Sequence, residues 1–78
     1  MILITYIKPF VIINSNKLIS GKINIIDSNN NIALTEIFNN SSYFNIKVNN
    51  EYGDDFLVVL KTQNIEVKKR ITIKAKPI

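Results

Sequence analysis

Few residues of this chain are able to do acid–base or nucleophilic chemistry. The 78 residues include no His and no Cys, so the commonest general base and the strongest thiol nucleophile are both missing. Of the six carboxylates, only Asp54 and Asp55 are adjacent, and neighbouring side chains in an extended segment point in opposite directions. No G-x-S-x-G motif accompanies the serines. The sequence therefore predicts a protein that is not an enzyme, with no catalytic residue and no cofactor.

One segment partly matches a metal-binding loop. Asp27, Asn29 and Asn31 fit the first three ligand positions of a calcium loop, but Ile32 stands where Gly is needed and Phe38 where Glu is needed. Asp and Asn also favour tight turns, because their side chains bond to the backbone ahead of them. We therefore expect a hairpin turn at 27–31 and no metal site.

Positive charge is concentrated near the carboxyl end of the chain. Six of the ten basic residues lie between positions 61 and 76, and only Glu66 opposes them there. In an extended strand, alternation places most of these side chains on one outward stripe, whereas Lys69 interrupts the inward apolar series. The candidate partner-binding residues are Lys61, Lys68, Arg70, Lys74 and Lys76.

This basic stripe has three interpretations. Side chains on one face of a strand are about 6.6–7 Å apart, a spacing that allows successive basic residues to contact successive phosphates of a nucleic acid. Proteins that bind single strands add exposed aromatic rings, and no Phe or Tyr occurs in residues 57–78. Lysines on a final strand also discourage edge-to-edge aggregation, and an acidic protein surface would bind the same stripe. We expect a protein partner, and nucleic acid is disfavoured.

The elements that position these residues are strands. Residues 56–74 predict one β-hairpin around a Thr62-Gln63-Asn64 turn, because two β-rich runs flank polar residues. Earlier strands are predicted at 2–7, 10–13, 18–25, 32–38 and 43–48, separated by Lys8-Pro9 and by three Asn-rich turns at 14–16, 27–31 and 39–42. No segment shows helical apolar periodicity with caps. The prediction is an all-β protein, a single immunoglobulin-like antiparallel β sandwich of six or seven strands spanning residues 1–78 as one domain.

The alternating strands also predict a core, which a chain of this length makes modest. Its expected members are Ile23, Ile25, Phe44, Ile46, Val48, Phe56, Val58, Leu60, Val67, Ile71 and Ile73.

The amino terminus carries no recognisable leader. Residues 1–7 are apolar but too short for a secretory signal or a membrane span, and Lys8-Pro9 ends the run. We therefore expect a complete, non-secreted chain that does not span a membrane. The net charge of +4 keeps such a small domain soluble and is also able to attract an acidic partner.

Four segments follow each other in a distinctive order. They are 21–27 running into the Asn-rich turn, 44–48, Tyr52-Gly53 ahead of 56–60, and 68–73. This order resembles that of the small immunoglobulin-like β-sandwich modules of Bacteroidota, which include the C-terminal sorting domains of type IX secretion. Phe56 stands where those modules usually have Tyr, and Asn30 or Asn31 where they usually have a turn Gly.

The resemblance and the absence of a leader together suggest a function. Small immunoglobulin-like domains occur on bacteriophage capsids as cement or decoration proteins, so we expect an auxiliary virion protein that binds a capsid or another assembly surface. One alternative is an adhesion or sorting module, which would be extracellular or at the cell surface. A further alternative is a small nucleic-acid-binding β barrel.

Overall fold

The structure, a computed structural model, describes residues 1–48 and 55–72. These residues form five strands: β1 (Ile2–Ile7), β2 (Phe10–Ile26), β3 (Ile32–Lys47), β4 (Asp55–Thr62) and β5 (Glu66–Thr72). All pairings are antiparallel and belong to one sheet. The predicted all-β class is confirmed.

The 17-residue strand β2 organises the whole sheet. Its first part pairs with β1 (Ile7↔Phe10 to Ile2↔Ser15), and its last part pairs with β4 (Ile26↔Leu57 to Gly21↔Thr62). Strand β3 runs along the opposite edge of β2 and pairs with both parts. Strands β1 and β4 therefore follow one another along the same edge of β2.

The sheet curls into a half-barrel with two halves. The first half-sheet contains β1, residues 10–15 of β2 and residues 41–47 of β3. The second half-sheet contains residues 21–26 of β2, residues 32–38 of β3, β4 and β5. Their inner faces pack against each other. At this contact the Tyr6 ring on β1 meets the Phe56 ring on β4 edge-on at a centroid distance of 5.4 Å.

Polar residues occupy the bend between the two halves. The β2–β3 register shifts between Asn14 and Ile19 and again before Gly21. Asn40 lies across from this segment with a φ of 49°, a left-handed conformation that Asn tolerates better than most residues. Ser20 Oγ donates to Asn39 Oδ1 at 2.9 Å and accepts from the Asn40 amide at 3.0 Å. These contacts stabilise an irregularity inside two long strands.

The predicted turns at 14–16 and 39–42 are wrong, because β2 and β3 pair on both sides of this irregularity. The two segments do not reverse the chain but lie inside β2 and β3. The predicted strands 10–13 and 18–25 merge into β2, and 32–38 merges with 43–48 into β3. The immunoglobulin-like sandwich of six or seven strands is therefore not confirmed, since the described residues form five strands of a single curled sheet.

The other predicted turns are confirmed. Asp27 Oδ1 accepts from the amides of Asn29 and Asn31, each at 2.9 Å, and closes the β2–β3 hairpin. The Thr62 amide donates to the Ile65 carbonyl at 2.9 Å and closes the β4–β5 hairpin.

The core lies between the two half-sheets. Eight of the predicted core residues are buried, and Phe44 and Val67 pack partly buried against them. Ile73 lies outside the described residues. Prediction missed four members of the central cluster, which are Ile4, Val11, Ile13 and Phe38.

Candidate interaction surfaces

The predicted basic residues that the structure describes lie on the outer face of the second half-sheet, which we call the basic face. Lys61 pairs with Lys22 on β2 and with Glu66 on β5, while Lys68 and Arg70 pair with Val59 and Leu57. Alternation along each strand sends these side chains away from the core. The hairpin therefore brings together three of the five candidates. Lys74 and Lys76 lie outside the described residues.

Each of these three cations is paired with a carboxylate. Arg70 Nη1 contacts Asp55 Oδ1 at 3.0 Å and Oδ2 at 3.1 Å, and Lys68 Nζ contacts Glu66 Oε1 at 3.3 Å. Lys61 Nζ lies 4.0 Å from the same carboxylate. All of these groups are about half exposed, so each pair contributes little to stability. The pairing nevertheless leaves the face less positive than the sequence indicated.

Asp55 is the residue that sequence analysis missed on this face. The predicted hairpin begins at residue 56, whereas the structure begins β4 at Asp55, which pairs with Thr72. Extending the hairpin register back by one residue would have placed it beside Arg70. Its partner in the adjacent carboxylate pair, Asp54, lies outside the described residues.

The basic face also offers no stacking platform within the described residues. Its apolar members are Ile26, Ile32, Ile37, Leu57 and Val59, and none is aromatic. Bases of single-stranded nucleic acid gain affinity by stacking on exposed rings, so this face attracts phosphates by charge alone.

Lys69 is the basic residue whose side chain lies on the inner face. It falls between Val67 and Ile71 and pairs with the buried Val58. Its ammonium reaches across to β1, where Nζ donates to the Ile4 carbonyl oxygen at 2.8 Å. Lys69, which interrupts the inward apolar series, therefore links the edge strand β5 to the edge strand β1 through this hydrogen bond.

A second outer face, which sequence analysis did not identify, belongs to the first half-sheet. Its register gives three rows across β1, β2 and β3: Leu3–Asn14–Tyr43, Thr5–Ile12–Asn45 and Ile7–Phe10–Lys47. We call these nine side chains the apolar face. The exposed fraction is 62% for Ile7, 57% for Tyr43, 53% for Leu3 and 39% for Phe10. Patches of this kind on soluble proteins commonly mark contact sites.

The sequence did contain a signal for this face. Residues 1–4 and 10–13 are continuous apolar runs instead of alternating ones. In a strand, such a run places apolar side chains on both faces. One face enters the core through Ile4, Val11 and Ile13, and the other stays uncovered.

A groove of about 530 Å³ opens where β3 bends. Phe38 and Phe44 stack at a centroid distance of 4.7 Å beside it, and Glu36 and Lys47 are its ionisable side chains. No buried polar side chain of the described residues points into it. The groove therefore offers shape and apolar contact but no paired acid and base.

Asp27 acts in its turn, where Oδ1 accepts from the amides of Asn29 and Asn31. Within residues 1–48 and 55–72, no group of three or more potential metal ligands comes together.

Comparison with protein-family models, with curated proteins and with solved structures finds no significant match. None of the described residues belongs to a helix long and apolar enough to cross a membrane.

Proposed function

We propose that this chain is a non-enzymatic interaction protein that works as a small auxiliary component of a larger protein assembly. The supporting observation is the amount of bulky apolar surface that the described residues leave exposed. These exposed side chains are Met1, Leu3, Ile7, Phe10, Leu18, Ile32, Ile37, Tyr43 and Ile65.

Exposure of this kind has a physical cost for an isolated domain. A small chain buries a smaller fraction of its surface than a large one and has little stability to spare. Single exposed apolar residues are ordinary, but a contiguous set raises the risk of aggregation unless a partner covers it. A protein that works while attached to an assembly gains stability from that attachment.

The setting we propose is a virion, with the chain attached to a capsid lattice as a cement or decoration protein. The resemblance of the sequence to immunoglobulin-like modules supports this setting, and we propose that the chain is related to those modules. The nucleic-acid alternative is less well supported, since the basic face is partly neutralised by Asp55 and Glu66.

The proposal is tested by analysing purified virions of the virus whose genome would encode this chain. After banding in a density gradient and washing, mass spectrometry should find the chain in a fixed ratio to the major capsid protein. A host ribosomal protein serves as the control for carry-over. Absence of the chain from such particles would contradict the virion setting.

A further inference from the structure

We propose that the apolar face of the first half-sheet, and not the basic hairpin, is the docking surface, and that its partner is an apolar patch of a different protein with an acidic rim. This inference rests on the proposed function and names the surface and the partner chemistry that it would use.

The first observation is the contrast between the two outer faces. The described part of the basic face carries Lys22, Lys61, Lys68 and Arg70 among its four strands, with two carboxylates that pair with them. The apolar face carries one charged residue, Lys47, among its nine. Depletion of charge at the centre, with aromatic residues present, is the compositional signature of an interface core.

The second observation concerns charge around the apolar face. The first half-sheet contains no Asp or Glu, because the first acidic residue of the chain is Asp27 and residues 39–48 contain none. Lys47 lies in the row of Ile7 and Phe10, and Lys8 follows Ile7 directly. The described edge of the face at this end is therefore cationic, and complementary potentials favour an acidic rim on the partner.

The same charges argue against a second copy of this chain. Two copies whose faces meet with the lysine ends together would bring Lys8 and Lys47 of each copy into proximity, and like charges across an interface oppose association. In the reverse orientation the first half-sheet of the other copy offers no Asp or Glu to pair with these lysines. The footprint of three strands is roughly 14 Å by 20 Å. A stable interface of standard size buries about 800 Å² per partner, so this face alone makes only a weak contact, whether it meets a second copy or a different protein.

The polar members of the face argue against a lipid bilayer. Asn14 and Thr5 lie among apolar side chains of the face, and Asn45 lies beside Ile12, between Tyr43 and Lys47 along β3. Moving a side-chain amide into hydrocarbon without a hydrogen-bond partner is strongly unfavourable. A protein surface is able to supply those donors and acceptors, whereas acyl chains are not.

Binding of the full-length labelled chain to purified virions that have been stripped of it is the direct test. The double variant Ile7→Ser/Tyr43→Ser should bind about tenfold more weakly or worse, because it removes two apolar anchors. The matched control is Ile37→Ser, which removes an 81% exposed apolar side chain from the second half-sheet and should bind as the wild type does. Circular dichroism and thermal unfolding establish that each variant is folded.

A charge variant gives an independent measurement if the apolar variant does not fold. Lys8→Gln/Lys47→Gln should lower affinity and flatten its dependence on salt, since surface charges are screened. The single variant Lys22→Gln on the basic face is the matched control, with no change expected.

The outcomes separate the inference from the function on which it rests. If the wild-type chain does not bind the particles, the proposed function and this inference fail together. If the wild type binds and the apolar-face variants bind equally well, the inference is overturned while the function stands. A dimer in light scattering that Tyr43→Ser dissociates would overturn it in favour of a second copy. Binding to vesicles of phosphatidylcholine with 30% phosphatidylglycerol that depends on Ile7 would overturn it in favour of a membrane.

Discussion

The ammonium of Lys69 on β5 donates a hydrogen bond of 2.8 Å to the carbonyl oxygen of Ile4 on β1. These residues are 65 positions apart in the chain, and their strands lie at the two ends of the path β1-β2-β4-β5. The bond therefore joins one edge of the curled sheet to the other. It also occupies an edge carbonyl that would otherwise be open to pairing with another chain.

Lys69→Met should destabilise the fold by about 1–2 kcal/mol, because it keeps the aliphatic stem but removes a charged hydrogen bond. Urea unfolding followed by circular dichroism measures the change. The neighbouring Lys68→Met removes a cation whose ion pair is exposed, and it should change stability by less than about 0.5 kcal/mol. Equal effects of the two substitutions would show that the contact between β5 and β1 does not contribute.

Phe56→Ala should be among the most damaging substitutions. Its side chain is 1% exposed and its ring packs edge-on against Tyr6, so truncation removes burial and leaves a cavity between the half-sheets. We expect a loss of about 3–5 kcal/mol in the free energy of unfolding. Leu57→Ala, on the outer face beside it, should cost clearly less. A small effect at Phe56 would contradict the packing of β1 on β4.

Gly21→Ala tests how closely β2 and β4 approach each other. A β-carbon at position 21 would overlap the backbone carbonyl of Lys61, so the strands would have to separate. The expected cost is about 1–3 kcal/mol or more, measured by thermal unfolding. Lys22→Ala is the control, with a change within about 0.5 kcal/mol. Wild-type stability for Gly21→Ala would show that this part of the pairing is loose.

The hairpin of β4 and β5 was predictable because its information is local. Period-two alternation and a polar turn define it within 20 residues, and register then fixes which side chains share a face. The Asn-rich segments at 14–16 and 39–42 were not, because the same residue favours a turn or a bulge. Which one forms depends on whether β2 and β3 continue to pair beyond the irregularity.

The surfaces were predicted less completely than the fold. The outward stripe of Lys61, Lys68 and Arg70 follows from alternation, but its neutralisation by Asp55 depends on where β4 begins. The role of Lys69 depends on β1 reaching the opposite edge. That approach is a tertiary event which no local pattern encodes.

We expect the basic face to attract nucleic acid weakly and non-specifically at most. At micromolar protein and physiological salt, fluorescence anisotropy of labelled single-stranded DNA should show no saturable binding that Lys68→Gln weakens, since the described part of the basic face lacks stacking rings. Any binding at low salt should disappear as salt rises. Saturable, salt-sensitive binding under physiological conditions would instead favour the nucleic-acid alternative.

Site-specific photo-crosslinking tests the central claim most directly. A benzophenone amino acid replaces Tyr43 on the apolar face in one variant and Leu57 on the basic face in another, and both are assembled on purified particles. We predict that illumination links the Tyr43 variant to one particle protein at a peptide flanked by Asp or Glu, while the Leu57 variant forms no comparable adduct. Crosslinking through position 57 alone would place the contact on the basic face and contradict the account.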